Sequence, residues 1–289
     1  MAKHERPDTQ FMEFEGQRMA YSVYGKGPKV VLLTHGFLLN KDMYLKLAHD
    51  LAEHGNRVVT LDMVGHGESE PRPAQLSIPF YGRAVLGVMD DLGVKEAVIG
   101  GTSLGANISL EVASQAPERV RGLLVEMPAL EDAMLGGAIA FAPLLAGAVF
   151  GEPIARVGSR LLRMVPRGMV PYQVEMILDV MRRDPRSTAQ VITGVFFGRL
   201  APPAEERQLI EAPALVIGHR FDPIHPMTDA KRVTEELRNS QFVEANSAVE
   251  LRTTPTRLTN VIAEFLSECW RPKAVKSSSG RGARKRTTG

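Results

Sequence analysis

Short apolar runs alternate with stretches of helical spacing through most of this chain, and that alternation restricts the fold more than any other feature. Residues 29–34 (KVVLLT), 57–62 (RVVTLD), 96–100 (EAVIG) and 122–127 (GLLVEM) each read as a buried strand. Between them, 40–54, 79–92 and 103–115 carry apolar residues at helical spacing. Strands buried on both faces and separated by helices predict a mostly parallel central sheet covered by helices on both sides, an α/β architecture. An alternating hairpin pattern over 11–24, turning near Glu15-Gly16, precedes the first run. The alternation stops at Pro128 and resumes with 213–218 (PALVIG), a helix over 226–237, a short strand at 241–245 and a last helix over 255–269.

The core is therefore split, over 11–128 and 208–270, with 129–207 predicted as an inserted cap of several short helices. A chain of 289 residues accommodates this as one large domain. Within the insert, Ala133 to Phe150 holds no charged residue over 18 positions, barely a bilayer span. Pro143 and the glycines 136, 137 and 147 argue instead for a greasy lid over an apolar pocket. Residues 1–10 are polar, lack the apolar run of a leader and are expected to be disordered. The single cysteine, Cys269, excludes an internal disulfide framework, so the expectation is a cytoplasmic protein. The net charge of +2 conceals an asymmetry: residues 271–289 carry seven basic and no acidic side chains, leaving −5 on the remainder. Such a Ser/Gly-rich basic tail is expected to be disordered. The tail and the apolar cap are the candidate contacts with a membrane surface, and neither marks a specific nucleic-acid binder. The sequence assigns no oligomeric state.

The strand pattern at 96–100 runs directly into Gly101-Thr102-Ser103-Leu104-Gly105, and a helix pattern follows. A serine hydroxyl attacks a carbonyl at neutral pH only with a base, an exposed position and a stabilised oxyanion. A tight strand-to-helix turn supplies the exposure, and flanking glycines allow its close packing. The amide of Leu104 falls where helix amides are unpaired and the dipole favours an anion. Ser103 is thus the candidate nucleophile.

Two further motifs follow neighbouring strands: Thr34-His35-Gly36-Phe37, and Asp62-Met63-Val64-Gly65-His66-Gly67-Glu68-Ser69. With these three motifs in this order, the chain resembles the α/β-hydrolase superfamily over roughly residues 11–270. The resemblance implies that the Phe37 and Leu104 amides form the oxyanion hole, that His35 and His66 are structural, and that a helical cap follows the sixth strand. It also implies a chain order of serine, acid, histidine. Asp222, in 218–226 (GHRFDPIHP), matches the family acid.

The family histidine follows the eighth strand, and here that stretch, 243–255 (VEANSAVELRTTP), has none. His225, three residues after Asp222, is the candidate replacement base; His219, nearer the strand end, is a weaker one. Asp222 or Glu126, at the end of the sixth strand, is the candidate carboxylate orienting it. The expectation is a serine hydrolase cleaving a hydrophobic ester through an acyl-enzyme, with Met134, Leu135, Phe141, Leu144, Leu145 and Phe150 lining an apolar site. The alternative is a catalytically impaired binding protein for an apolar small molecule. Dehalogenases and epoxide hydrolases of the superfamily use an aspartate where Ser103 stands, whereas cofactor-free haloperoxidases share these motifs. No Cys/His metal spacing and no phosphate- or dinucleotide-binding glycine motif stands out, so no cofactor is expected.

Overall fold

The computed structural model describes residues 5–69, 76–166, 169–170, 172–196, 198–222 and 224–272. All but two residues of the basic tail lie outside that set; of the N-terminal segment expected to be disordered, residues 5–10 lie within it, with Thr9 donating to Glu68 (3.0 Å) and Gln10 in the first strand. Eight strands form one sheet: β1 (Gln10–Phe14), β2 (Gln17–Tyr24), β3 (Val30–Thr34), β4 (Arg57–Asp62), β5 (Ala97–Thr102), β6 (Val120–Glu126), β7 (Ala214–His219) and β8 (Ser240–Ala245). Their order is β1-β2-β4-β3-β5-β6-β7-β8. β1 and β2 form an antiparallel hairpin, and β2 pairs antiparallel with β4. Every other pairing is parallel. Glu15 and Gly16 both take positive φ, 46° and 71°. That matches the twist a two-residue hairpin turn requires.

The parallel strands are apolar throughout because both faces are covered. Successive residues alternate between two cores. Leu32, Val59, Ile99, Leu123 and Val216 point into one, packed under α2 (Ile78–Asp91), α3 (Leu104–Gln115) and α9 (Met227–Glu236). Val31, Val58, Val98, Leu124 and Leu215 point into the other, under α1 (Leu45–Glu53), the short α10 (Glu250–Thr253) and α11 (Thr256–Cys269). Burying each such side chain contributes about 1.5–3 kcal/mol. This is a rigid platform for the loops at the carboxyl ends of β3, β5 and β7.

Between β6 and β7 the chain forms α4 (Ala133–Phe150), α5 (Glu152–Arg163), α6 (Tyr172–Met181), α7 (Pro185–Phe196) and α8 (Ala204–Arg207). No strand occurs among the described residues there. α4 is a single 18-residue helix with Pro143 inside it, and only 17% of it is buried. It is the one helix among the described residues long and apolar enough to cross a membrane. Ala133, Gly137 and Ala148 face inward. Leu135, Ile139 and Phe150 are exposed by 72%, 67% and 87%. The fully buried positions are thus all small, while Met134 and Phe141 are part-buried and three bulky residues face away. Side chains of α3 and α9 anchor the cap. Asn107 Nδ2 donates to the carbonyls of Ala129 and Leu200, at the cap's two ends (2.7 and 2.8 Å). Asp229 Oδ2 accepts from the amides of Leu130 and Ala133 (2.7 and 3.1 Å), satisfying the first turn of α4.

Candidate active site

The turn between β5 and α3 holds Ser103 at φ 56°, ψ −112°. A non-glycine residue there costs about 1–3 kcal/mol and persists only where its surroundings impose it. The Ser103 amide donates to the carbonyl of Glu126 on β6 (2.8 Å). On the other side, the Thr34 hydroxyl lies 3.2 and 3.1 Å from the carbonyls of Gly100 and Gly105. β3 crosses so closely that a Cβ on Gly105 would overlap the Thr34 carbonyl. That approach is why the motif needs glycine two positions after the serine.

His225 Nε2 lies 2.8 Å from Ser103 Oγ. His225 Nδ1 lies 2.8 Å from Asp222 Oδ2. A carboxylate accepts only, so Nδ1 carries the ring proton and Nε2 is left to accept from the serine hydroxyl; this tautomer follows from the hydrogen-bond network. The other carboxylate oxygen, Asp222 Oδ1, accepts from the amides of Ile224 and His225 (2.8 and 3.0 Å). Acid and imidazole are therefore fixed relative to each other by a side-chain hydrogen bond and two backbone amides. Burial opposes ionisation of Asp222, but hydrogen bonding to His225, its charge and the two amides outweigh burial and hold the carboxyl below the usual carboxylate range.

The other candidates sit elsewhere. His219 Nε2 contacts Asp222 Oδ2 (2.9 Å) and Nδ1 faces the Arg220 carbonyl (2.9 Å), so His219 bears on the acid and not on the serine. Glu126 is clasped by Arg252: Nη2 donates to Oε2 at 2.7 Å, Nη1 donates to Oε1, and Nη2 also reaches Thr102 Oγ1 at 2.6 Å. The pair is buried, 9% and 6% exposed. Glu126 makes no hydrogen bond to His225 among the described residues. Arg252 comes from the stretch after β8, where the family histidine was sought. Its guanidinium braces the floor of the serine turn. In the same stretch, Glu250 is held by Arg257 (2.8 Å) and by the Asn246 amide. An arginine within a stretch lacking its expected histidine was the one available signal for Arg252, and residue spacing gave none for its partner 126 positions away. His35 and His66 are buried under the loops. His35 accepts from the Met63 amide (3.1 Å), and burial lowers it to about 3, so it is neutral.

Phe37, Ser103, Leu104, Asn107, Met134 and Phe141 are among the residues around a cavity of about 50 Å³, which His225 also lines. Phe37 and Phe141 meet edge to face, ring centres 4.8 Å apart. Leu104 is the first residue of α3, where the amide has no partner within the helix. Of the six cap residues expected to line an apolar site, Met134 and Phe141 do. Leu135 and Phe150 do not: they point to solvent, and Leu144 is 37% exposed. An uncharged helix gives no polar stripe from which to read its buried face.

The family model for the alpha/beta hydrolase fold matches residues 29–159. Over 119 residues the chain is 34% identical to the dihydrolipoyllysine-residue acetyltransferase component of the acetoin cleaving system of Cupriavidus necator, covering 41% of this chain and 32% of that protein. Over 106 residues it is 34% identical to a putative non-heme haloperoxidase of Mycobacterium phage D29, covering 37% of this chain and 38% of that protein. The chain thus spans roughly a third of the length of these curated relatives. The crystal structure of the enol-lactonase from Burkholderia xenovorans LB400 superposes with a TM-score of 0.72 at 19% identity, covering 89% of this chain and all of that one. Sheet order, serine turn and family match agree: the chain has the α/β-hydrolase fold, and its residues 29–159 match that family's model.

Proposed function

We propose that the protein is a serine hydrolase that cleaves an uncharged carboxylic ester through an acyl-enzyme on Ser103. The observation that carries this reading is the continuous contact from Ser103 Oγ to His225 Nε2 and from His225 Nδ1 to Asp222 Oδ2, 2.8 Å at each step. These are the distances at which an imidazole takes a proton from a nucleophile and a carboxylate orients it. Ser103 Oγ attacks the ester carbonyl while its proton passes to His225 Nε2. The developing oxyanion sits against the amides of Phe37 and Leu104. His225 then protonates the departing alkoxide. A water, deprotonated by the same imidazole, attacks the acyl carbon and releases the acid. Asp222 stays ionised throughout and stabilises the imidazolium. An oxygen ester is favoured by the apolar cavity at Ser103 and by the likeness to a lactonase. The impaired-binder alternative loses its main support, since it required a serine without an imidazole.

The exposed bulky residues of α4 favour a second element of the reading, peripheral contact of the cap with a lipid surface. Fluorophosphonate labelling mapped by mass spectrometry tests the central claim. Rapid labelling of Ser103, lost in His225→Gln, is the expected result. No labelling of a folded protein, or undiminished labelling of the variant, would overturn it.

A further inference from the structure

A second cavity, larger than the one at Ser103, lies apart from it. Its volume is about 960 Å³, and no residue lines both it and the Ser103 pocket. One wall is made by loop residues after β3 and β4, including Asn40, Gly65 and Ser69; the other comes from the cap. Six arginines line it: Arg156, Arg160 and Arg163 from α5, and Arg182, Arg183 and Arg186 from the segment joining α6 to α7 and the start of α7.

Half of these guanidinium groups are neutralised. Arg182 is held by Glu175 and Asp179. Arg156 and Arg186 share Glu152. Of the two acidic residues lining the cavity, Asp179 is occupied by Arg182 and Asn40. The other, Asp184, accepts from the amides of Arg186 and Ser187 at the start of α7. No carboxylate lies within ion-pair distance of Arg160, Arg163 or Arg183 among the described residues. Arg163 Nε donates to the Arg182 carbonyl and Arg183 Nη2 to the Gly65 carbonyl. Arg183 Nε and Nη1, and Arg156 Nε, are buried without any partner. Burial lowers Arg183 to about 10, so it is charged at neutral pH. A buried charge with unmet donors is costly unless a counter-charge arrives.

We propose that this cavity is a binding site for a small molecule that carries a phosphate or pyrophosphate group. Guanidinium forks match the paired oxygens of such groups, and each has donors to spare here. The volume lies at the upper end of the range for small-molecule sites, so it holds a ligand with an organic portion as well as the anion. The site is independent of the ester chemistry at Ser103. The phosphate reaches it either on a free metabolite or as the headgroup of a lipid against which the cap lies.

Titration calorimetry of the full chain with inorganic pyrophosphate tests the proposal. Saturable binding is expected, retained in Ser103→Ala and weakened about tenfold or more in Arg160→Gln/Arg163→Gln. Both of those arginines are exposed, so their replacement leaves the fold intact; Arg183→Gln, checked by circular dichroism, should weaken binding further. The second arm is flotation with phosphatidylcholine vesicles, with and without phosphatidylglycerol. Binding that needs both phosphatidylglycerol and the arginines, without pyrophosphate binding, would assign the site to a lipid headgroup. Binding of neither probe, or binding of either that the arginine variants leave unchanged, would overturn the proposal.

Discussion

Replacing Asp222 with asparagine isolates one feature of the site, the direction of the ring proton on His225. Asparagine retains a carbonyl oxygen for the Ile224 and His225 amides, so the turn keeps its shape. At the Oδ2 position it offers an NH₂ group, which cannot accept from His225 Nδ1. The imidazole then carries its proton on Nε2, the nitrogen facing Ser103 Oγ at 2.8 Å, and can no longer take the serine proton. The same tautomer error in the template triad costs about 10⁴-fold in kcat, or about 5.4 kcal/mol at 1.36 kcal/mol per decade. The assay is steady-state hydrolysis of p-nitrophenyl butyrate, with the fluorophosphonate labelling rate as a second readout. Stability should fall too. The folded carboxyl titrates below its unfolded value of about 3.9. Its contribution is therefore fully present above pH about 3.9 and is lost as pH falls through the lower, folded value. The gap in melting temperature between parent and Asp222→Asn should be widest near neutrality and close in acid. Activity of Asp222→Asn within about tenfold of the parent, with unchanged labelling, would refute the assignment of Asp222 as the orienting carboxylate.

Three further outcomes follow from the geometry. Glu126→Gln leaves Arg252 partly unpaired in a buried site and should destabilise by about 3–5 kcal/mol in urea unfolding, while the labelling rate of the folded fraction changes far less than in Asp222→Asn. Phe141→Ala opens the cavity beside Phe37; hydrolysis rates across p-nitrophenyl acetate, butyrate and octanoate should shift toward the longer acyl groups, at a stability cost of about 3–5 kcal/mol or less for this half-buried ring. The pair Leu135→Ser and Phe150→Ser removes exposed apolar surface from α4 and should reduce vesicle flotation without lowering the melting temperature; unchanged flotation would remove the cap from the lipid contact.

The sheet was legible in the sequence because its strands are buried on both faces, so KVVLLT or RVVTLD admits few other readings. The serine turn was legible because glycine is required where Thr34 crosses Gly105. His225 stood out by position, as a histidine three residues after a carboxylate on the loop following β7. The choice between Asp222 and Glu126 was not legible, because it depends on Arg252, which reaches Glu126 through tertiary contact alone. Nor was the orientation of α4, in which every position is uncharged and no polar stripe marks the exposed face. The arginines of the cap form no motif in the sequence; only the packing of α5 beside α7 gathers them around one space.

The turn from Asp222 to His225 joins the proposed base and its carboxylate within a single span of four residues. In a chain where these two groups sit on separate loops, their spacing depends on how two strands pack. Here it depends on local backbone geometry, and the pair travels together if the loop shifts. The stretch after β8 is correspondingly released from chemistry and serves as a brace through Arg252 and Glu250. Changes in the length of the 246–249 connection should therefore alter the robustness of the fold before they alter turnover. That connection therefore belongs to the frame and not to the chemistry, and Asp222 with His225 makes a compact unit for transfer onto related scaffolds.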